Sequence, residues 1–376
     1  MIWKEKYLQK IVILQIHLQY GWMQSQNREI TVEIYSNENL KEYNQFILNN
    51  PSSNIYHTIE WKNIIERNFN YKSFYLLARN EEDKICAVLP LFLIKNFYGI
   101  RLDSLPYTPY GGTTGDQRYI EILIKKAIEL KKQLNCTSLA IKDNTLQFDN
   151  IFNHFNMTKS VNWDRQLIKI EDPESMWNNL KKSNKENIRK AIKNNFNIIS
   201  VTKEEELKEF YYLISLTYRR LGFMVPTYKF FLDIYNTMHS KGYIEVLLVR
   251  YNGEPIASSL NYLFNKNLFV AYGGWDKKEK NLKANNYLDW TSLCYCYKKS
   301  YKYLDFGLTT KENKGLFTYK SSFNTIDYPY ACYIYPKNAE YFNNQTRLIK
   351  LSRILVKRIP NFIYTKSGNF IIKNFT

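Results

Sequence analysis

Residues 245–324 hold the side chains whose types and spacing could do chemistry. A strand pattern ends at Asp305-Phe306-Gly307, and a loop through Lys314-Gly315 leads to Tyr319-Lys320. Ligands gather at strand ends in α/β sheets, where loops supply the reactive groups. A lysine there can meet the negative charge that develops on a carbonyl oxygen under attack. Asp305 is a candidate base, or else it orders the following loop through backbone hydrogen bonds. Upstream, residues 101–112 bring Pro106, Pro109, Gly111 and Gly112 into one shaped loop. Paired glycines let a ligand or another backbone come close. Tyr110-Gly111-Gly112 reappears as Tyr272-Gly273-Gly274, which favours a structural role for them. Between the two, Asp172-Pro173 opens a helix, with Asp as N-cap and Pro at the first helical position. Lys181, Lys185, Arg189 and Lys193 recur every four residues, flanked by Lys182 and Lys190, beside an apolar stripe of Trp177, Leu180, Ile188, Ala191 and Ile192. That face suits phosphate or an RNA backbone, and equally a solvated surface.

Several chemistries are disfavoured. The sequence has no G-x-x-x-x-G-K-[ST], G-x-S-x-G or G-x-G-x-x-G, which argues against P-loop NTPases, α/β-hydrolases and dinucleotide enzymes. His17, His57, His154 and His239 are scattered without zinc-type spacing, so no metal site is expected. Cys86, Cys136, Cys294, Cys296 and Cys332 are odd in number, form no C-x-x-C and read as buried small hydrophobes of a reducing compartment.

The elements that must position these residues come twice. Asn252-Gly253 between two apolar runs marks a hairpin, followed by a third strand, a helix and the strand to Gly307. Upstream, Leu76-Leu77-Ala78-Arg79 matches Leu247-Leu248-Val249-Arg250, and Ile85-Cys86 matches Ile256-Ala257. Lys131-Lys132 closes a helix before one strand as Lys298-Lys299 does before another, and helices over 56–65 and 228–235 precede the two units. This is a two-fold repeat of one α/β unit. Leu89-Pro90-Leu91-Phe92 reads as a buried strand whose proline suggests an edge or a bulge.

A chain of 376 residues allows two ordinary domains. The expected division is an extension over 1–31, domains over 32–165 and 166–336, and a basic tail over 337–376. The net charge of +18 favours an anionic partner. The many tyrosines, with abundant Lys, Asn and Ile, read as compositional bias rather than as stacking platforms. Near the N-terminus Ile11, Val12, Ile13, Leu14, Ile16 and Leu18 form an apolar run too short to span a bilayer. The preferred reading is a loosely attached extension, with Met23 as an alternative start; the other is a membrane-surface helix. In the tail, Leu348, Leu351, Leu355 and Ile359 make a stripe among Arg347, Lys350, Arg353, Lys357 and Arg358, up to Pro360. This predicts a basic amphipathic helix that packs on the second domain, with some affinity for an anionic membrane.

Residues 32–335 resemble the FemAB-like family of double-GNAT transferases. The resemblance is carried by His57-Thr58 with Trp61, the segment 87–91, Leu102 to Gly112, Asn187-Ile188-Arg189-Lys190-Ala191, Arg219-Arg220 with Gly222, Pro255-Ile256-Ala257, the segment 285–290, Asp305-Phe306-Gly307, Gly315-Leu316, Tyr319-Lys320 and Phe323. Asn195 and Asn324 stand where the family carries glycine, which puts the local loop geometry in question.

The resemblance implies two tandem units with mixed, largely antiparallel sheets flanked by helices. It implies transfer of an aminoacyl or acyl group, from aminoacyl-tRNA or acyl-CoA, onto an amine of a cell-envelope precursor. Lys320 corresponds to the family's aromatic-lysine pair, with Tyr319 as the aromatic member. His57, Trp61, Tyr107, Tyr110, Gly111, Gly112, Lys185, Arg189, Arg219, Arg220, Tyr272, Asn285 and Asn286 become candidate substrate-binding residues. Acetyl-CoA-binding GNATs carry a [QR]-x-x-G-x-[GA] loop at a helix N-terminus. The nearest match, Arg219 to Met224, is broken by Met224, which favours the tRNA donor. No bound cofactor and no DNA partner are expected, and the location implied is cytoplasmic or peripheral at the inner membrane face. The alternative is a non-catalytic RNA- or membrane-binding protein on a degenerate scaffold of this kind.

Overall fold

The first half of the chain winds β1 (Thr31–Ile34), α1 (Leu40–Asn49), α2 (Ile59–Phe69), β2 (Lys72–Arg79), β3 (Ile85–Asn96), β4 (Gly99–Asp103), the short β5 (Thr114–Gly115), α3 (Ile120–Gln133), β6 (Ser138–Asp143), α4 (Asp149–His154) and β7 (Thr158–Ser160). The second half adds β8 (Trp163–Lys169), α5 (Pro173–Asn179), α6 (Lys182–Ile192), β9 (Asn197–Ser200), α7 (Glu204–Leu221), α8 (Tyr228–Met238), β10 (Ile244–Tyr251), β11 (Glu254–Phe264) and β12 (Asn267–Trp275). It continues with α9 (Ala284–Lys298), β13 (Tyr303–Thr310), α10 (Lys314–Ser321), β14 (Ile326–Pro329), β15 (Ala331–Tyr335), α11 (Asn361–Lys366) and α12 (Gly368–Phe375). This computed structural model describes residues 30–143, 146–161, 163–337 and 353–375. The N-terminal apolar run and much of the predicted tail helix lie outside the described residues.

The first sheet has the order β1-β2-β3-β4-β6-β15-β7, and the second β9-β10-β11-β12-β13-β8-β14. Position by position they are the same sheet twice. Neighbours are antiparallel except at one matching place, the parallel pairs β4–β6 and β12–β13. The repeat expected from the sequence is thus present, strand for strand. The division at 165/166 is not: it falls inside β8, which lies in the second sheet. β15, assigned from the sequence to the second domain, lies in the first. The first sheet therefore takes its sixth strand, β15, from beyond the whole of the second sheet, whose strands run in sequence from β8 to β14. β15 is required there because β6 and β7 pair with it and not with each other, and its Tyr333 is buried in a stack on Phe152.

Three local expectations change. The helix from Pro173 is two helices, because Leu180 and Lys181 are extended and the Lys181 N–H donates to the Ser322 carbonyl (3.0 Å). The two Tyr-Gly-Gly motifs are not equivalent. Ala87 pairs with Gly115 and Ala257 with Trp275, so Thr114 rather than Gly112 corresponds to Gly274. Pro90 is in a central strand, not at an edge. It sits opposite the break between β5, which pairs with residues 87–88, and β4, which pairs with residues 92–96, so no donor is missed there.

The two units share one core. α2 faces α8, and Trp61 lies fully buried, edge-on to Tyr56, Phe230 and Tyr262. Trp61 is therefore a packing residue rather than a substrate contact.

Candidate active site

β12 and β13 are parallel neighbours for only three pairs, Asn267–Phe269 with Tyr303–Asp305, although β12 continues to Trp275 and β13 to Thr310. Beyond Phe269 the strands part and leave a wedge. The matching wedge between β4 and β6 is filled. There the Ser104 N–H donates to Ala140 O (2.8 Å), and Lys142 Nζ donates to the carbonyls of Leu105 (2.7 Å) and Thr108 (2.5 Å). Gly112 lies so close to Lys142 that a Cβ would sit 1.8 Å from its carbonyl oxygen, and one on Gly111 would meet Leu105 at 2.5 Å. Gly111 and Gly112 thus serve a backbone approach that plugs the first wedge. His57 holds the plug. Its Nδ1 accepts the Asn54 N–H (3.1 Å), so Nε2 carries the hydrogen towards Gly112 O (3.3 Å). Burial pulls its pKa down to about 4, and it stays neutral.

The second wedge is organised by Asp305, which is 2% exposed. Its Oδ1 accepts the Gly307 N–H (2.7 Å) and the Tyr110 hydroxyl (2.9 Å); its Oδ2 accepts Arg165 Nε (2.9 Å) and Nη2 (2.7 Å). Four donors use the carboxylate's acceptor capacity. Asp305 is therefore an organiser, and the expectation of a base there gives way. Gly307 has φ +74°, and a Cβ on it would meet the Phe269 ring at 3.0 Å, so the bulge in β13 calls for glycine. The bulge presents the carbonyls of Gly307 and Leu308 to Lys320 Nζ, at 3.3 and 3.2 Å.

The predicted loop into Lys320 is the helix α10, capped by the Asn313 side chain, which accepts the Leu316 N–H (3.2 Å). Lys320 is its inward residue, 6% exposed. Burial pushes its pKa down to about 8, against the pull of Asp305 and Asp289. An ammonium has three donors; two are used, and one has no partner among the described residues. Tyr319 OH donates to Asp289 Oδ2 at 2.5 Å. Asp289, on α9, is half-buried, and desolvation lifts its carboxyl to about 7 in spite of the Tyr319 hydrogen bond and Lys320.

The structure thus brings together Lys320, Tyr319, Asp305 and Tyr110, and adds Arg165 and Asp289. Arg165 lies over the Tyr110 ring at 4.5 Å, joining the halves of the chain. Asp289 had a sequence signal, as the only charged residue between Ala284 and Tyr297. Tyr272 lies on β12 past the parting, edge-on to Phe231 (5.0 Å). Asn286 donates to Asn184 (2.8 Å), which donates to Ser322 O (3.3 Å), tying α9 and α6 to the end of α10; Asn285 precedes it on α9. Lys185 and Arg189 are on α6, against Asn178 O and the Trp177 ring.

Others are not at this site. Tyr107 bonds Tyr71 and the carbonyl of Ile372. Arg219 bonds Ile359 O (2.6 Å), and Arg220 bonds Trp275 O (3.3 Å) over its ring. The segment Arg219 to Met224 ends α7, with Gly222 as a left-handed C-cap. A pyrophosphate loop needs the N–H end of a helix, so this segment is not one.

Residues 182–321 match the family model of an acetyltransferase (GNAT) domain. The stretch that carries β12, β13 and Lys320 is therefore similar to a GNAT acetyltransferase domain. Among solved structures, FemX superposes with a TM-score of 0.67 at 14% identity, covering 83% of this chain and 99% of that one. A tandem GNAT protein from the clavulanic acid biosynthesis pathway gives 0.53 at 10% identity, over 81% and 98%. The C-terminal domain of a putative lysylphosphatidylglycerol synthetase from Agrobacterium fabrum gives 0.54 at 9% identity, over 80% and 92%. No curated protein matches the chain by sequence. The chain has the double-GNAT fold that the FemAB-like resemblance implies.

Proposed function

We propose that this protein forms an amide bond, moving an aminoacyl or acyl group from aminoacyl-tRNA or acyl-CoA to an amine of a cell-envelope precursor, such as a peptidoglycan peptide or a surface glycan. The observation that carries the reading is the buried Lys320 ammonium, held by two carbonyls with a donor to spare, beside the wedge where β12 and β13 part. The acceptor nitrogen attacks the carbonyl carbon, and the new C–N bond replaces the donor's ester or thioester bond. Charge gathers on the carbonyl oxygen, where Lys320 contributes on the order of 3 kcal/mol. Asp289, oriented by Tyr319, accepts the proton that the amine loses and returns it to the leaving oxygen or sulfur, which departs as an alcohol or thiol. No covalent enzyme intermediate is needed.

The tRNA donor is favoured by charge. The lead-in to α9, residues 276–283, carries Lys277, Lys278, Lys280 and Lys283 and no glycine, and α6 presents its own basic face. Both suit an extended polyphosphate backbone. Mass spectrometry of envelope glycopeptides from a deletion strain tests the proposal. An amide-linked group should be missing, and should return with the wild-type gene but not with Lys320→Ala. An unchanged envelope would sink the reading and leave the non-catalytic alternative.

A further inference from the structure

After β15 the described chain resumes at Arg353 and lies across α7 and α8 onto the first domain. Its inner side is tied down. Tyr364 OH donates to Phe223 O (2.8 Å), Asn369 accepts the Thr227 N–H (2.9 Å), and the Tyr71 and Tyr107 hydroxyls reach the carbonyls of Lys373 and Ile372. Gly368 approaches Val225 so closely that a Cβ would sit 1.9 Å from its carbonyl oxygen. Tyr364, Gly368 and Ile372 are thus the inward positions of α11 and α12, four residues apart. The helices run almost continuously, since the Ser367 N–H bonds Ile363 O and the Ile371 N–H bonds Ser367 O.

Half a turn away, at the same spacing, stand Phe362 (66% exposed), Lys366 and Phe370 (64% exposed). Just before them, Ile354 and Leu355 are exposed among Arg353, Lys357 and Arg358. No Asp or Glu follows Glu340. The stripe expected inward at Leu355 is therefore rotated: Val356 faces in and Leu355 faces out.

We propose that this outer face of the tail docks on an anionic lipid bilayer surface. It goes beyond the transferase reading, because the binding needs no turnover. Large apolar side chains alternate with cations on a helix whose other face is already anchored, the composition of helices that lie in a membrane interface. Phe362, Phe370 and Leu355 enter the acyl boundary while Arg353, Lys357, Arg358 and Lys366 meet anionic headgroups. An RNA partner would leave Ile354 and Leu355 with nothing to contact. No helix among the described residues is long and apolar enough to cross a membrane, so docking is to the surface.

The test is co-sedimentation of the full chain with vesicles of phosphatidylcholine alone or mixed with phosphatidylglycerol. Binding to the mixed vesicles is expected to exceed binding to neutral ones by about tenfold or more, and to fall with salt. Phe362→Glu with Phe370→Glu should lower it about tenfold or more with an unchanged melting temperature. Lys357→Glu with Arg358→Glu should weaken it without involving the aromatic anchors. Equal partition onto neutral vesicles, no binding, or a Phe double variant that binds like the wild type would overturn the proposal. So would a dimer, or binding to bulk tRNA, that disappears in that variant while vesicle binding persists.

Discussion

Lys320 and Asp289 set a narrow window for chemistry. Transfer needs the carboxylate ionised and the ammonium charged. With Asp289 near 7 and Lys320 near 8, kcat/KM should rise with pH as Asp289 loses its proton and fall at higher pH as Lys320 loses its own. In single-turnover assays Asp289→Asn should remove the acid limb and lower the rate by roughly 10²- to 10⁴-fold. A retained acid limb would take Asp289 out of the mechanism. Lys320→Ala should lower kcat and kcat/KM together by on the order of 10²-fold or more, with acceptor binding little changed. Lys320→Arg should not fully rescue, since a planar fork does not replace a compact ammonium; lost binding with normal saturated turnover would make Lys320 an acceptor ligand instead. Lys320 was legible in the sequence, from its place after a strand end and from the resemblance. Arg165 was not, because its partners Tyr110 and Asp305 are distant in sequence and meet only when β8 joins the second sheet. The two asparagines at expected glycine positions are resolved by conformation: Asn195 and Asn324 have φ of +50° and +63°, the left-handed region that asparagine tolerates better than most residues.

Among the elements, the two wedges show what one repeat can do twice. The loop over 104–113 closes the first with its own backbone, while the second holds the Gly307 bulge with Tyr110, Arg165 and Lys320 around it. Gly307→Ala should cost about 1–2 kcal/mol in backbone strain alone and should shift the carbonyls that hold Lys320. A lower melting temperature with a larger loss in kcat than in KM is the expected result; unchanged turnover would detach the bulge from the site. Helix α6 carries a separate prediction. Charge reversal at Lys181, Lys185 and Arg189 should flatten the salt dependence of polyanion binding, since each lost phosphate contact reduces the slope by about 0.7–0.9. An unchanged slope would mean a solvated face. The succession of strands and the Asn252-Gly253 hairpin were readable from apolar patterning and turn residues. The break between α5 and α6 was not, because the Ser322 carbonyl that draws out Lys181 comes from far along the chain. Helix α10 was read as a loop because its eight residues present few apolar positions to reveal a period.

At the scale of the molecule, the repeat was visible from matching runs, but the return of β15 to the first sheet was not, since that strand is short and reads as a natural end to the second half. That return changes how the protein must be made. Most two-domain chains complete their first domain as it leaves the ribosome. Here β6 and β7 emerge early and wait, because the strand that bridges them begins at Ala331. The nascent first domain must remain with open edges, a natural client for chaperones, until nearly all of the second has been synthesised. Ribosome-bound chains stalled with β14 outside the exit tunnel and β15 still within should be cleaved readily by protease in residues 30–160. Chains stalled after β15 has emerged should resist. Equal resistance at both stall points would show that the first sheet closes without the borrowed strand.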